Sequence, residues 1–391
     1  MFGPQDFSLV LGGPLYQLLR RVRLSDDALT LARQRVIVMS LLAWVPLLVL
    51  ALLEGQALPG TATVPFLLDL DVHVRFLLAL PLLIAAELVV HKRMRTVAQV
   101  FLDRHLIPDS AMPRFEAAVA ATIRLRNSVL AEVLIIAVVY GLGILIVWRH
   151  YTALDAATWY AVSSAQGSTS SLAGLWYGYV SLPLFQFLLV RWYFRIFIWI
   201  RFLWQVSAIE LNLVPTHPDR VGGLGFLSGT AYAFGLLAIA HGALLAGQLS
   251  NRIFFLGAKL TDYKMTIGVL VGFLLLLVLG PLLLFMGQLS RARLKGLREY
   301  GTLAQQYVRE FDSKWLRGSH PAGEPLVGSA DIQSLADLGN SFDIIRTMRL
   351  APVTKETVFQ LTVFTLAPIA PLGLTMMPLE ELLTTLLGVL F

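Results

Sequence analysis

Apolar residues in this chain come in long runs, not in the spaced positions of a soluble core. Six runs of about 17–25 residues carry almost no charge: 36–53, 74–90, 129–148, 172–190, 225–249 and 266–289. Coiled into helices, such runs match the roughly 30 Å of a bilayer's hydrocarbon core. A seventh region, 358–391, is apolar but interrupted by Pro368, Pro371, Gly373 and Pro378. The pattern predicts an all-α polytopic transmembrane helix bundle of about seven spans, the last broken by proline and glycine, with cytoplasmic helical extensions. The last region reads as one kinked span followed by a short interfacial helix over 379–391; a re-entrant loop is the alternative.

Between the runs, lysine and arginine fall on alternating sides. If residues 1–35 lie in the cytoplasm, 26 of the 31 basic residues lie on the inner side. Only Arg75, Arg149, Arg252, Lys259 and Lys264 lie outside. This asymmetry is the one that orients inner-membrane proteins. The expected organisation is a cytoplasmic segment 1–35 and a six-span body 36–289 with a cytoplasmic helical loop at 92–127. A cytoplasmic helical segment 290–356 and the broken C-terminal span 357–391 follow. Within 290–356, Gly318, Pro321, Gly323, Pro325 and Gly328 mark a loop between two helices.

Composition agrees with the pattern. The chain is 57% hydrophobic and 14% charged, with mean hydropathy +0.70, against about 25% charged in a typical soluble domain. The net charge of +6 is spread over the flanks of the apolar runs, so it does not point to nucleic acid. The absence of cysteine removes disulfides, thiolate metal sites and cysteine nucleophiles. The seven histidines are scattered and no HExxH motif occurs, so no catalytic signature or cofactor is indicated.

Candidate chemistry comes from polar residues inside or beside the apolar runs. Glu87 and Glu132 lie in the second and third runs near their cytoplasmic ends, where a carboxylate needs a partner or a water-filled cavity. They read either as members of structural ion pairs or as the lining of an ion or proton pathway. Arg191 and Arg195 share one helical face in an aromatic stretch, which suits an interfacial anchor or an anion-attracting ring. The segment Val214-Pro-Thr-His-Pro-Asp-Arg-Val-Gly-Gly-Leu-Gly225 presents His217, Asp219 and Arg220 at the mouth of the fifth run. It reads as a ligand or gate loop with an amide cradle, or as a structural turn whose Asp219 caps the next helix. Two ligands, His217 and Asp219, are too few for a metal site.

His241 sits in the fifth run, as a pathway residue or as a neutral hydrogen-bonding link between helices. Beside it runs a helix-packing stripe of Ala231, Gly235, Ala238, Gly242 and Ala246. Gly268 and Gly272 have GxxxG spacing in the sixth run, and Gly280-Pro281 predicts a kink. The expected function is a channel or carrier for an ion or small solute in the inner membrane, in contact with lipid and homo-oligomeric. A scaffold acting through the cytoplasmic helices and an intramembrane metal-dependent enzyme are the alternatives.

Overall fold

The computed structural model describes residues 7–21, 31–60, 62–141, 158–164, 167–318 and 325–376. Over these the chain is a bundle of helices with one small hairpin. In order come α1 (Pro14–Arg21), α2 (Ala32–Leu53), α3 (Leu70–Asp103), α4 (Met112–Arg126) and α5 (Val129–Gly141). The antiparallel strands β1 (Ala161–Ser164) and β2 (Gly167–Ser170) pair Ala161 with Ser170. Then follow α6 (Leu172–Ser207), α7 (Leu224–Leu256), α8 (Leu260–Leu316), α9 (Ala330–Arg346), α10 (Lys355–Leu366) and a last turn of helix at Ala370–Met376.

Among the described residues, five helices are long and apolar enough to cross a membrane: α2, α3, α6, α7 and α8. Counting α10 with Ala370–Met376 as one unit, bent by 58°, makes six. About seven crossings were expected from the sequence; the described residues carry five, or six with the bent unit. Only the first part of the 129–148 run is described, as α5, and its 13 residues cover about 20 Å, short of the hydrocarbon core. The interfacial helix expected over 379–391 lies outside the described residues.

Two proline positions shape the long helices. Pro81 in α3 and Pro183 in α6 lack the amide that would close the preceding turn. Each is preceded by a widened π turn, at Val74–Ala79 and Tyr177–Ser181. The wider turn relieves the clash between the proline ring and the carbonyl four residues back. The two π turns meet: Arg75 Nη1 donates to the Tyr177 hydroxyl at 3.0 Å, and Phe76 packs edge-on against Tyr177. Ser181 then donates to the Ala43 carbonyl at 2.7 Å, tying α6 to α2. The start of α6 is capped by Ser171 and by Glu54, which accepts from the amides of Leu172 and Ala173.

α7 is the most buried of the five long helices and α2 the least. Its small residues explain this. A side chain at Gly235 would meet Phe364, and one at Gly242 would run into the Thr365 carbonyl and Pro368, so α10 lies directly on the stripe. On another side, Gly247 abuts Asp71 and Val74 of α3. Ala231, Ala238 and Ala246 are buried in the same packing. The stripe is thus used within the chain. Gly268 and Gly272 of α8, in contrast, face open surface.

α8 runs for 57 residues, about 85 Å of helix, with a narrowed stretch at Gly280–Phe285 where the sequence places Gly280-Pro281. Its second half and α9 form an antiparallel arm. Asp331 at the start of α9 accepts from Lys314 and Trp315 at 2.8 and 2.9 Å, and Arg293 holds the Arg346 carbonyl at the other end at 2.7 Å.

Close packing on α7 gives a direct test. Gly242→Val is expected to cost about 1–3 kcal/mol through overpacking, whereas Gly268→Val, on open surface, should be near neutral. Thermal unfolding in detergent measures both, and equal losses would contradict the packing described.

Candidate functional site

At one end of the bundle, Glu87 of α3 is buried and binds guanidinium groups from two other helices. Its Oε2 pairs with Arg35 of α2. Its Oε1 pairs with Arg195 of α6 at 2.7 Å and lies 3.9 Å from Arg191 Nη1. Arg191 and Arg195 are one helical turn apart, so both reach the same carboxylate. Arg191 also pairs with Glu132 of α5 at 3.2 Å, and Arg195 lies over the Trp192 ring at 4.8 Å. All five charged groups are buried. The structure therefore brings together Glu87, Glu132, Arg191 and Arg195 from the sequence candidates and adds Arg35, whose role no spacing could reveal.

Arg126, at the end of α4, borders this network. Burial pushes its guanidinium down to about 10, with repulsion from Arg195 adding to the shift. Its Nη1 donates to the Ser8 carbonyl at 2.7 Å.

His217, Asp219 and Arg220 lie apart from the network, in the turn between α6 and α7. Asp219 accepts from the amides of Val221, Gly223 and Gly225 at 2.9, 3.2 and 2.8 Å. The amide cradle seen in the sequence is thus filled by the loop's own carboxylate. His217 Nδ1 lies 2.9 Å from Asp219 Oδ1. Arg220, Gly222 and Gly223 have φ of 57°, 64° and 99°, the left-handed backbone that glycine supplies readily. Arg349 fastens the loop from outside, taking the carbonyls of Asp219 and Arg220, and Arg104 takes that of Gly223. Beside it, Gln288 of α8 donates to the carbonyls of Ser207 and Ile209 and accepts from Leu211, satisfying the end of α6.

His241 is a link between helices. Its Nδ1 lies 2.7 Å from the Leu237 carbonyl, and its Nε2 lies 2.6 Å from the Tyr193 hydroxyl. The tautomer that satisfies both contacts carries its hydrogen on Nδ1 and accepts from Tyr193.

At the opposite end of the bundle is a polar group that sequence reading missed. Asp69 accepts from Trp159 Nε1 and Asn251 Nδ2, each at 2.7 Å, and from the Val72 amide at 3.2 Å. Asp71 pairs with Arg75 at 2.6 Å. Asp71 and Arg75 share a helical turn, and that spacing was the available signal; Asp69 with Trp159 and Asn251 had none. Among the described residues, no group of three or more histidine, aspartate or glutamate side chains is placed to hold a metal ion.

Comparison with family models, curated proteins and solved structures gave no match to this chain.

Two expectations follow. Glu87→Gln leaves three buried guanidiniums around a neutral amide, so it should cost about 3–5 kcal/mol. Glu132→Gln, which releases one arginine and one amide, should cost less; thermal unfolding in detergent ranks the two, and the reverse order would refute the assignment of Glu87 as the common counter-ion.

For Asp219, burial alone would raise the carboxyl, but the amides of Val221, Gly225 and Gly223, with His217, outweigh it and hold it below the usual carboxylate range. The stability it contributes is complete above pH ~4 and is lost as the pH falls through its lowered folded value. Asp219→Asn should therefore unfold earlier than the parent at pH 7, by about 1–3 kcal/mol, with the gap closing in acid. A gap that does not change with pH would contradict this.

Proposed function

We propose that this chain is an integral membrane channel or carrier that moves an ion or small solute across the cytoplasmic (inner) membrane. The observation that carries the reading is the convergence of Arg35, Glu87, Glu132, Arg191 and Arg195 inside an apolar helix bundle. Ionisable groups are expensive within membrane helices and mark solute and proton pathways there. The arginine-rich end faces the cytoplasm, with the N-terminus on that side, because 26 of the 31 basic residues then lie inside. α5 begins a further span, and α10 with Ala370–Met376 is a kinked one, giving about seven crossings. The outward-facing pair Gly268 and Gly272 suits close contact with a second copy, so the working form is a homo-oligomer.

A second reading is favoured by one feature. The arm of α8 and α9 leaves Leu303, Val308, Val327 and Ile332 exposed, which suits a scaffold that holds a partner on the cytoplasmic side.

Purified protein in liposomes should pass at least one ion or small solute above the rate of protein-free vesicles. Silence across a broad panel of cations, anions and neutral solutes, together with a stoichiometric partner bound to the arm, would favour the scaffold instead.

A further inference from the structure

Residues 7–16 lie across the arginine–glutamate network as a strap. Phe7 is buried against Trp199 and Phe202, with ring centroids 6.4 and 4.7 Å away, and Leu9 and Val10 are buried beside it. Gly12 and Gly13 have φ of 139° and 90°, and any side chain at Gly12 would run into Arg126 and Asn127. Glycine is what lets the backbone press onto the charges.

The strap's polar atoms contact the network directly. The Ser8 carbonyl accepts from Arg126 Nη1 at 2.7 Å, and the Gly12 carbonyl lies 3.5 Å from Arg191 Nη2. The Leu15 amide donates to Glu132 at 2.7 Å, and Ser8 Oγ lies 2.8 Å from His91 Nδ1.

Charge decides what this means. Among the described residues, the three guanidiniums of Arg35, Arg191 and Arg195 pair with two carboxylates, Glu87 and Glu132, and a fourth, Arg126, borders them. Residues 7–16, Phe-Ser-Leu-Val-Leu-Gly-Gly-Pro-Leu-Tyr, contain no acid to make up the difference. One of the four, Arg35, is 97% buried and has a buried Nε without a hydrogen-bond partner. Carbonyl oxygens stand where a positively charged site would hold an anion.

We propose that residues 7–16 are a displaceable strap over an anion site, and that when the strap lifts, a small inorganic anion binds Arg126 and Arg191 in place of the Ser8 and Gly12 carbonyls. This rests on the transport reading for its consequence, which is that the moved species is an anion and the strap closes its cytoplasmic entrance. The binding event itself does not depend on transport.

The chain has no cysteine, so introduced thiols report cleanly. In the variant Ser8→Cys, labelling by a membrane-impermeant maleimide, in zwitterionic phosphatidylcholine vesicles that supply no anionic lipid, should be slow. It should speed up to a plateau as nitrate or sulfate replaces gluconate at constant ionic strength. A rate independent of the anion overturns the proposal, whatever the flux experiments give. In the double variant Ser8→Cys/His91→Cys, oxidation should pin the strap and abolish nitrate or chloride flux, and reduction should restore it. Unchanged flux on oxidation, or potassium passing in preference to anions, refutes the strap as gate or the anion as cargo while leaving transport standing. Anion-dependent labelling with no flux of any ion leaves the binding site standing and removes the transport reading.

Discussion

A carboxylate inside an apolar bundle is tolerated only if cations come to it, and Glu87 brings them from two other helices. Arg35, Arg191 and Arg195 each lose hydration at this point, and each recovers part of the loss from the same two oxygens. Such an arrangement does little for net stability compared with a greasy core, but it is unforgiving of alternatives. A rotation of α2 or α6 that left an arginine facing lipid would cost several kcal/mol. Glu87 thus fixes the rotation of α2, α3 and α6 about their own axes, which small apolar side chains alone do not do.

The same helix carries a second polar group at its other end. Asp71 and Glu87 are 16 residues apart on α3, about 24 Å. The stretch between them holds His73 and Arg75 at one end and otherwise apolar residues, among them the buried Phe76, Ala79, Leu83 and Ile84. The ion pairs of α3 are therefore concentrated at the two ends of this apolar stretch. Between them, α7 provides the close approach that dispersion forces require. The π turns before Pro81 and Pro183 lie close to the Asp71–Arg75 level, where their loosened backbone is packed against protein.

The positions of the long helices were legible because lipid would impose a length and an absence of charge on each, and five of the six clean runs coincide with helices long and apolar enough to span a membrane. The packing stripe of α7 was legible for a related reason: its period of three and four is set by helix geometry alone. What escaped the sequence were pairings between distant positions. Arg35 and Glu87 are 52 residues apart, Asp69 and Trp159 are 90 apart, and no local pattern links them. The 214–225 loop shows a different gap. Its glycines signalled an amide cradle for a ligand, and of the two readings the one with Asp219 as a cap is nearer to what the loop shows, that carboxylate filling the cradle itself. Gly268 and Gly272 carry the packing motif and yet face outward, because spacing says that a surface is smooth and not what lies against it.

The strap at 7–16 binds differently from the rest of the network. Between side chains, a guanidinium and a carboxylate hold each other by full charges, and parting them in a buried site is prohibitive. A backbone carbonyl carries only a dipole, and each strap contact with Arg126 or Arg191 is of that weaker kind. Over residues 7–13 the strap reaches the network as non-helical backbone, through two glycines with positive φ. The contacts between Glu87 and its arginines are thus the ones built to persist, while the strap is held by a few apolar side chains and by dipoles. Where a full negative charge competes for the same arginines, electrostatics favours the charge over the carbonyl, and the strap is the element positioned to yield.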